Sequence, residues 1–369
     1  RTLSHPFFNE VCAAFLKEMM LGCGMLPGSC YNEVVAKAAE SLCEFTGMDR
    51  VVFMNSGAES FDAAVKLIRK YALLEHGITE EHGLILVCFN NFHGRTLGAI
   101  SASDTEQYKK GFGPLLPGFG WIRFGDIESL EAAIAEAHMI WRREVIAFVT
   151  EPVQGEGGIN IPPEGYLRNV KRICRNKHIL FCLDEVQTGF GRTGYNFAWE
   201  REDLTAKPDL MMLGKMMCGG ATIGSAVVGH KDVMSVLQPG DHGSTFGGIP
   251  LTCATVSKVV EIFNAHPEIL AHVKDLGYYF MGKLEEIAAR INSPLFKEVR
   301  GRGLLIGMEF TEPMASFLRE RLLKEGVLAG AAGHDYVLRF SPPLIITQEE
   351  IDWALPRIEK ALMVLNQAR

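Results

Sequence analysis

A lysine and an aspartate follow two apolar runs of the sequence. Lys215 comes shortly after the run at 210–213, and Asp184 directly follows the run at 179–183. A lysine amine can form a Schiff base with an aldehyde, and a carboxylate can keep a pyridinium nitrogen protonated so that its ring accepts electrons. Either residue alone would be interpreted as a surface lysine or a helix cap. Together they predict a site for pyridoxal 5'-phosphate.

A phosphate site is predicted at 55–58, where the sequence Asn-Ser-Gly-Ala separates a strand-like run from a helix-like run. Backbone N–H groups at a helix N-terminus, with the Ser56 hydroxyl, suit a dianionic phosphate. A plain helix cap is the alternative, since Ser and Asn favour that position. The glycine-rich segment 242–248 contains Thr245 and is a second candidate; taken alone it would be a flexible turn.

Two further segments follow strand-like runs. In the first, Phe92 could stack on a cofactor ring and Arg95 could bind a carboxylate; a core aromatic and a surface arginine are the alternatives. In the second, residues 151–158, Glu151 and Glu156 would lie beside the site. A turn that requires glycines is the structural interpretation of that second segment.

The elements that must position these residues alternate between strands and helices. Short apolar runs predict strands at 51–54, 84–89, 145–150, 179–183, 210–213 and 223–228. Helical periodicity predicts helices at 58–74, 127–137 and 165–175. This alternation predicts an α/β fold with a mostly parallel central sheet covered by helices. Ligands of such sheets bind at the carboxyl ends of the strands.

The chain changes character after Pro250, which predicts two domains. We expect a large domain at 1–255 and a smaller C-terminal α+β domain at 256–369. In the second part the sequence predicts a helix at 251–265, strands at 304–310 and 336–340, and a terminal helix after Thr347.

The first fifty residues are expected to pack with the large domain, through helices at 8–21 and 31–46. The chain begins with Arg1 and shows no initiator Met or signal peptide. We therefore expect that the start of the functional protein is missing from this sequence.

Composition excludes several classes of protein. The chain has 369 residues, 47% hydrophobic and 22% charged, with net charge −7, which is typical of a globular protein without a domain-wide nucleic-acid surface. No apolar run approaches the roughly 20 residues of a membrane span. The nine cysteines lack CxxC pairs and zinc-ligand spacing. We therefore expect a reduced, intracellular protein, in the cytoplasm or the mitochondrial matrix, with no metal site and no membrane or nucleic-acid partner.

The segments, in this order, resemble the class III pyridoxal-phosphate aminotransferases of fold-type I. The match extends from Ser4 to the C-terminal helix and is strongest at 92–97, 111–114, 184–189 and 191–194. Within the class, the chain is most similar to the ornithine aminotransferase group and next to the acetylornithine group. That closer match is carried by 207–215, 240–245 and 338–344.

The resemblance implies a set of cofactor-binding residues. These are Ser56, Gly57, Ala58, Phe92, His93, Asp184, Gln187, Lys215 and Thr245. Lys215 would form the Schiff base and carry the proton, and Asp184 would be the partner of the pyridinium nitrogen. Gln187 would lie near the phenolic oxygen, and Phe92 would stack on the ring. Thr245 would reach the phosphate from a neighbouring subunit.

The resemblance also implies substrate contacts. Arg95 would hold the ornithine carboxylate, and Arg339 would bind the α-carboxylate of glutamate or 2-oxoglutarate. Glu156 would pair with Arg339 when ornithine is present. Two features depart from the family: the aromatic segment that precedes Ser4 is absent, and Ile249 stands where the family usually has Asn.

The implied activity is that of an ω-aminotransferase. It would move the δ-amino group of ornithine, or a close analogue, to 2-oxoglutarate, giving glutamate semialdehyde and glutamate, in a homodimer or larger homo-oligomer. The alternatives are an aminotransferase for acetylornithine, another ω-amino acid or a diamine, a racemase or epimerase on the same cofactor, and a non-catalytic homologue.

Residues 189–194, Gly-Phe-Gly-Arg-Thr-Gly, also match the GxGxxG pattern of dinucleotide-binding proteins. Its context is wrong, because no clear helix follows it and no strand-terminal acid lies about twenty residues further on. We therefore expect no dinucleotide site.

Overall fold

A central sheet of seven strands organises the computed structural model, which describes residues 7–22 and 31–366. Its strands are β1 (Arg50–Met54), β2 (Gly83–Cys88), β3 (Phe119–Ile122), β4 (Glu144–Thr150), β5 (Leu180–Asp184), β6 (Leu210–Leu213) and β7 (Ser225–Gly229). They lie in the order β1-β7-β6-β5-β4-β2-β3. Strand β7 is antiparallel to both of its neighbours, and the other adjacent pairs are parallel. The predicted mostly parallel sheet is confirmed.

Both faces of this sheet are buried, which is why its strands have continuous apolar sequences. Successive side chains of a strand point to opposite faces. In β5, Phe181 and Leu183 belong to one apolar cluster, whereas Leu180 and Cys182 belong to the other. The burial of these side chains leaves the strand ends as the places where polar residues can lie.

Helices cover the sheet on both sides. They are α1 (Phe7–Met20), α2 (Glu33–Thr46), α3 (Gly57–His76), α4 (Leu97–Ser101), α5 (Glu106–Lys109), α6 (Ile127–Met139), α7 (Tyr166–Asn176), α8 (Lys231–Met234) and α9 (Pro250–Ala265). Helix α3 begins where the Ser56 hydroxyl accepts a hydrogen bond from Glu59 N (3.3 Å) and ends at Gly77, which adopts φ 66°. An oxygen-bearing cap and a left-handed glycine are common signals for these two positions.

A second, antiparallel sheet follows in the chain. Its strands are β8 (Phe296–Arg302), β9 (Leu305–Phe310), β10 (Gly330–Ala332) and β11 (Val337–Phe340), in the order β10-β11-β9-β8. It packs with α10 (Glu268–Ile291) and α11 (Ala315–Lys324), and α12 (Gln348–Leu362) packs against these two helices. This is the smaller C-terminal α+β part that the sequence predicts.

Three strands were not predicted from the sequence. Strand β3 has four residues and contains a glycine, β10 has only three small residues, and β8 is largely polar. All three lie at the edges of their sheets, where one hydrogen-bonding edge of the strand is unpaired and short or irregular strands are common. The predicted strand at 223–228 is also displaced, because β7 begins at Ser225.

The boundary predicted between residues 255 and 256 falls inside α9, which is continuous. It stays a prediction. Ile249 occupies the position before this helix, and its side chain makes no capping hydrogen bond, whereas an Asn there could cap the helix. The segment at Ser4, where the family resemblance begins, lies outside the described residues.

Some classes of feature are absent from the described part of the chain. Within 7–22 and 31–366, no helix combines the length and the apolar character that crossing a bilayer requires. The same residues contain no cluster of His, Cys, Asp and Glu suited to a metal ion. The seven described cysteines are all free thiols.

Glycine residues allow the C-terminal part of the chain to pack closely against the loop that follows β5. A Cβ at Gly277, in α10, would lie 2.3 Å from the Gly303 carbonyl oxygen, and a Cβ at Gly303 would lie 2.6 Å from the Thr193 carbonyl carbon. Gly303 connects β8 to β9, and Thr193 belongs to the loop after β5. The guanidinium of Arg192 adds hydrogen bonds to the carbonyl oxygens of Leu304 (3.1 Å) and Pro342 (2.6 Å).

We expect Gly277→Ala to destabilise the protein by about 1–3 kcal/mol, because the added methyl group meets rigid backbone on Gly303. Gly282→Ala is the matched control in the same helix, since no atom lies within 4 Å of its added Cβ. That control should be neutral or stabilising by up to about 1 kcal/mol. Urea unfolding of both variants measures the difference, and equal midpoints would contradict the close contact.

Candidate active site

A pocket of about 340 Å³ lies at the carboxyl ends of the parallel strands. It is built by the segments that follow β1, β2, β4, β5 and β6. The predicted site residues that line it are Ser56, Gly57, Ala58, Phe92, His93, Asp184, Gln187 and Lys215. Parallel strands bring their carboxyl ends to one edge of the sheet, so residues distant in sequence meet there.

Asp184 is held in place at the base of this pocket. Its side chain is buried, with 5% of the residue exposed. Oδ2 accepts a hydrogen bond from His93 Nδ1 (2.7 Å), and Oδ1 accepts one from Val186 N (3.0 Å). The His93 ring stacks on Phe61 with 4.7 Å between centroids and 4° between planes. These contacts fix the direction of the carboxylate.

Lys215, the second member of the predicted pair with Asp184, also lines this pocket. It begins a short 3-10 helix, Lys215–Cys218, directly after β6 and Gly214, and the residue is exposed. Its φ is 46°, in the left-handed region that non-glycine residues seldom adopt. Such backbone conformations concentrate at functional sites, and Lys215 lines the pocket.

The predicted phosphate site is the N-terminus of α3. Its first residues, Gly57 and Ala58, line the pocket together with Ser56. Gly94 lets the next segment approach this point closely, because a Cβ at Gly94 would lie 2.4 Å from Ala58 Cβ. A helix N-terminus presents backbone N–H groups and the positive end of the helix dipole, and both favour an anion.

Val186 is a pocket residue that the sequence analysis missed. A Cβ on Gly57 would lie 2.9 Å from its Cγ1, and a Cβ on Gly214 would lie 3.3 Å from the same atom. Val186 therefore lies between the start of α3 and the lysine segment. Its position two residues beyond Asp184 was the available signal. Thr222, Ile223 and Gly224 also line the pocket, and the last two belong to the predicted strand at 223–228 but precede β7 in the structure.

Glu151, which the sequence predicts to lie beside the site, also lines the pocket. It directly follows β4 and is 6% exposed. Its Oε2 accepts a hydrogen bond from Phe92 N (3.1 Å), and its Oε1 accepts one from Gly155 N (3.2 Å). Burial raises the pKa of Glu151 to about 7; the His93 charge opposes this rise and the Asp184 charge adds to it.

Arg339 and Glu156 meet as an ion pair. Arg339 Nη1 donates to Glu156 Oε1 at 2.5 Å, and Arg339 is only 7% exposed. Arg339 lies in β11 opposite Gly330, whose missing side chain leaves room for the guanidinium. Glu156 lines a neighbouring cavity of about 490 Å³ that also contains Tyr108 and His334. The structure therefore brings together the two residues that the resemblance implies as partners, and their roles toward substrate stay predictions.

Arg95 and Thr245 lie outside the residues that line the pocket. The Arg95 guanidinium stacks over the Tyr108 ring at 3.7 Å and lies 5.5 Å from the centre of the Phe92 ring. Thr245 is exposed, next to Ser244, whose hydroxyl accepts a hydrogen bond from Asn55 Nδ2 (2.8 Å). The substrate role of Arg95 and the phosphate role of Thr245 stay predictions.

The chemistry of the donor set fits pyridoxal phosphate. An anion site at the start of α3, a carboxylate at Asp184, an aromatic ring at Phe92 and an amine at Lys215 all line one pocket. Its volume of about 340 Å³ lies within the range of small-ligand sites. Residues 189–194 form turns, so the dinucleotide alternative lacks its helix.

Comparison with protein families gives one match over most of the chain. The family model "Aminotransferase class-III" matches residues 3–362. The ornithine aminotransferase of Geobacillus sp. (strain WCH70) is 42% identical over 330 residues, covering 89% of this chain and 79% of the relative. The ornithine aminotransferase of Bacillus subtilis (strain 168) is 42% identical over 332 residues, covering 90% and 79%.

Solved structures of ornithine and acetylornithine aminotransferases are also similar to this chain. The ornithine aminotransferase from Toxoplasma gondii ME49 superposes with a TM-score of 0.90 at 36% identity, covering 99% of this chain and 84% of that chain. A second structure of the Toxoplasma gondii ornithine aminotransferase is described with partial occupancy of PLP at the active site. The acetylornithine aminotransferase from Elizabethkingia anophelis has a TM-score of 0.81 at 32% identity, covering 98% and 85%.

Proposed function

The chain belongs to the class III aminotransferase family, a family of pyridoxal-phosphate-dependent transaminases, and we propose that it moves the δ-amino group of ornithine, or of a close analogue, to 2-oxoglutarate. The products are glutamate semialdehyde and glutamate. The observation that carries the proposal is the ion pair between Glu156 and Arg339, because it offers a way to treat the two amino donors differently.

The cofactor supplies an aldehyde and an electron-withdrawing ring that stabilises negative charge on the carbon that loses its proton. The residues of this chain have separate tasks around it. Ser56, Gly57 and Ala58 bind the phosphate at the start of α3. Asp184 would favour the protonated form of the ring nitrogen, and the Lys215 amine would be the group that holds the aldehyde and moves the proton.

The two donors present different groups to the site. Ornithine must direct its terminal amine to the aldehyde, whereas glutamate must direct its α-amine, with a carboxylate on the reacting carbon. An unpaired Arg339 would suit glutamate but would attract ornithine by its α-carboxylate. We infer that Glu156 neutralises Arg339 during the ornithine half-reaction and turns away for glutamate, because a guanidinium cannot deprotonate.

The movement of Glu156 is a side-chain rotation in this proposal. The backbone of its glycine-rich turn is held at several points. The Glu156 carbonyl oxygen accepts a hydrogen bond from Gly333 N (2.9 Å), and Gln154 pairs with Asn160. A Cβ on Gly157 would lie 2.3 Å from the Asn90 carbonyl oxygen. Because Glu156 is only half-buried, its side chain has room to rotate.

We further infer that the chain works as a homodimer, or a larger homo-oligomer, inside the cell. Thr245 and Phe246 are exposed, and Phe246 has 49% of its surface accessible. Their loop is held next to α3 by the hydrogen bond between Asn55 and Ser244, so it is presented at the surface. This supports a contact of Thr245 with the phosphate of a neighbouring subunit. The free thiols support a reducing compartment.

Lys215 should be the residue that bonds to the cofactor. Borohydride reduction of the loaded protein is expected to attach pyridoxal phosphate covalently to Lys215, as peptide mapping would show. Lys215→Ala should still bind the cofactor through α3 and Asp184 but should lose turnover by several orders of magnitude, since the nucleophile and proton carrier are removed together. An adduct mapped to another lysine would end this assignment.

Glu156→Ala should leave Arg339 permanently open. We expect kcat/KM for ornithine to fall relative to that for glutamate by about tenfold or more, which corresponds to about 1.4 kcal/mol. Stopped-flow half-reactions with each donor measure this ratio.

Glu164→Ala is the matched control for that experiment, since Glu164 is an exposed carboxylate only eight residues further along. It should leave the ratio unchanged. If Glu156→Ala behaves like this control, Glu156 is only a structural turn residue.

A further inference from the structure

Glu151 is a buried carboxylate that the reaction described above does not use. It lines the pocket at the end of β4, and its oxygen atoms contact two different segments. Oε2 accepts the Phe92 N–H at 3.1 Å, and Oε1 accepts the Gly155 N–H at 3.2 Å. A carboxylate can accept both of these hydrogen bonds at once because both of its oxygens are acceptors.

The two N–H groups belong to parts of the site with different tasks. Phe92 and His93 lie in the segment after β2, where His93 holds Asp184. Gly155 directly precedes Glu156, the residue that pairs with Arg339. Glu151 therefore connects the Phe92 segment, where the cofactor ring is expected, to the turn that carries Glu156 of the Glu156–Arg339 ion pair.

The space around Gly155 makes this connection rigid. A Cβ on Gly155 would lie 1.6 Å from Gln187 Oε1, so the turn is packed directly against a residue that also lines the pocket. Asp184 and His93 are the charged groups whose fields act on Glu151, with opposite signs. A displacement of the Phe92 segment would thus be transmitted through one side chain to the backbone before Glu156.

We propose that Glu151 is a positioning residue. Its two oxygens hold the Phe92 segment and the Glu156 turn together, so that the part of the pocket assigned to the cofactor ring and the Glu156–Arg339 pair stay at a fixed distance and orientation to each other. The part of this proposal that concerns donor selection rests on the proposed function.

Glu151→Gln tests this connection with little change of volume. An amide offers only one acceptor oxygen, and its NH2 group opposes the other backbone N–H, so one of the two contacts is lost. Glu185→Gln is a matched control. Glu185 is fully buried, burial raises the pKa of its carboxyl to about 7 as well, and it accepts hydrogen bonds from the Thr188 hydroxyl and from Trp199 N. It does not line the pocket.

Amide hydrogen exchange of the apoprotein is the first measurement. Peptides that contain Phe92 or Gly155 should exchange at least tenfold faster in Glu151→Gln than in the wild type, and should be unchanged in Glu185→Gln. The affinity for pyridoxal phosphate should fall at least fivefold in Glu151→Gln alone. In half-reactions, the ratio of kcat/KM for ornithine to that for glutamate should fall at least threefold, again in Glu151→Gln alone.

A measurement on the wild type keeps the proposal testable even if Glu151→Gln does not fold. Adding pyridoxal phosphate to the wild-type apoprotein should slow exchange in both peptides together. Slowing in the Phe92 peptide alone would overturn the proposal, as would equal exchange in the two glutamine variants. If the wild type does not react with ornithine, the proposed substrate is wrong, while the exchange results still decide the role of Glu151.

Discussion

The hydrogen bond between His93 Nδ1 and the Asp184 carboxylate is the contact on which the arrangement of the site depends. Asp184 ends β5, His93 follows β2, and β4 lies between those two strands. The bond therefore joins the segments on either side of β4 across its carboxyl end. Because both side chains are buried, the bond is shielded from water and gives the carboxylate one direction.

The remaining charged groups are arranged around that fixed carboxylate. A buried charge is tolerated only where hydrogen bonds or an opposite charge replace its hydration. Arg339 has Glu156 as its partner, and Glu151 has two backbone N–H groups. The burial that makes these groups costly also strengthens their effect on a bound ligand. The site thus combines a fixed element, Asp184, with a pair whose half-buried member can turn away.

The sequence allowed the fold class and most of the pocket to be predicted, because those signals are local. Continuous apolar runs indicated β2, β4 and β5, and the residues directly after them, such as Asp184, were correctly placed at one edge. Strand β8 has no such run, so its pairing with β9 depends on tertiary context. The stacking of Arg95 on Tyr108 likewise depends on how two segments fold together.

The role of Asp184 is tested most directly by titrating the Asp184→Asn apoprotein with pyridoxal phosphate and following the visible circular dichroism of the bound cofactor. An amide keeps an acceptor for one of the two hydrogen bonds but removes the negative charge. The Kd should rise at least tenfold, about 1.4 kcal/mol, and turnover should fall much further. A Kd and a turnover within twofold of the wild type would contradict the central role of this carboxylate.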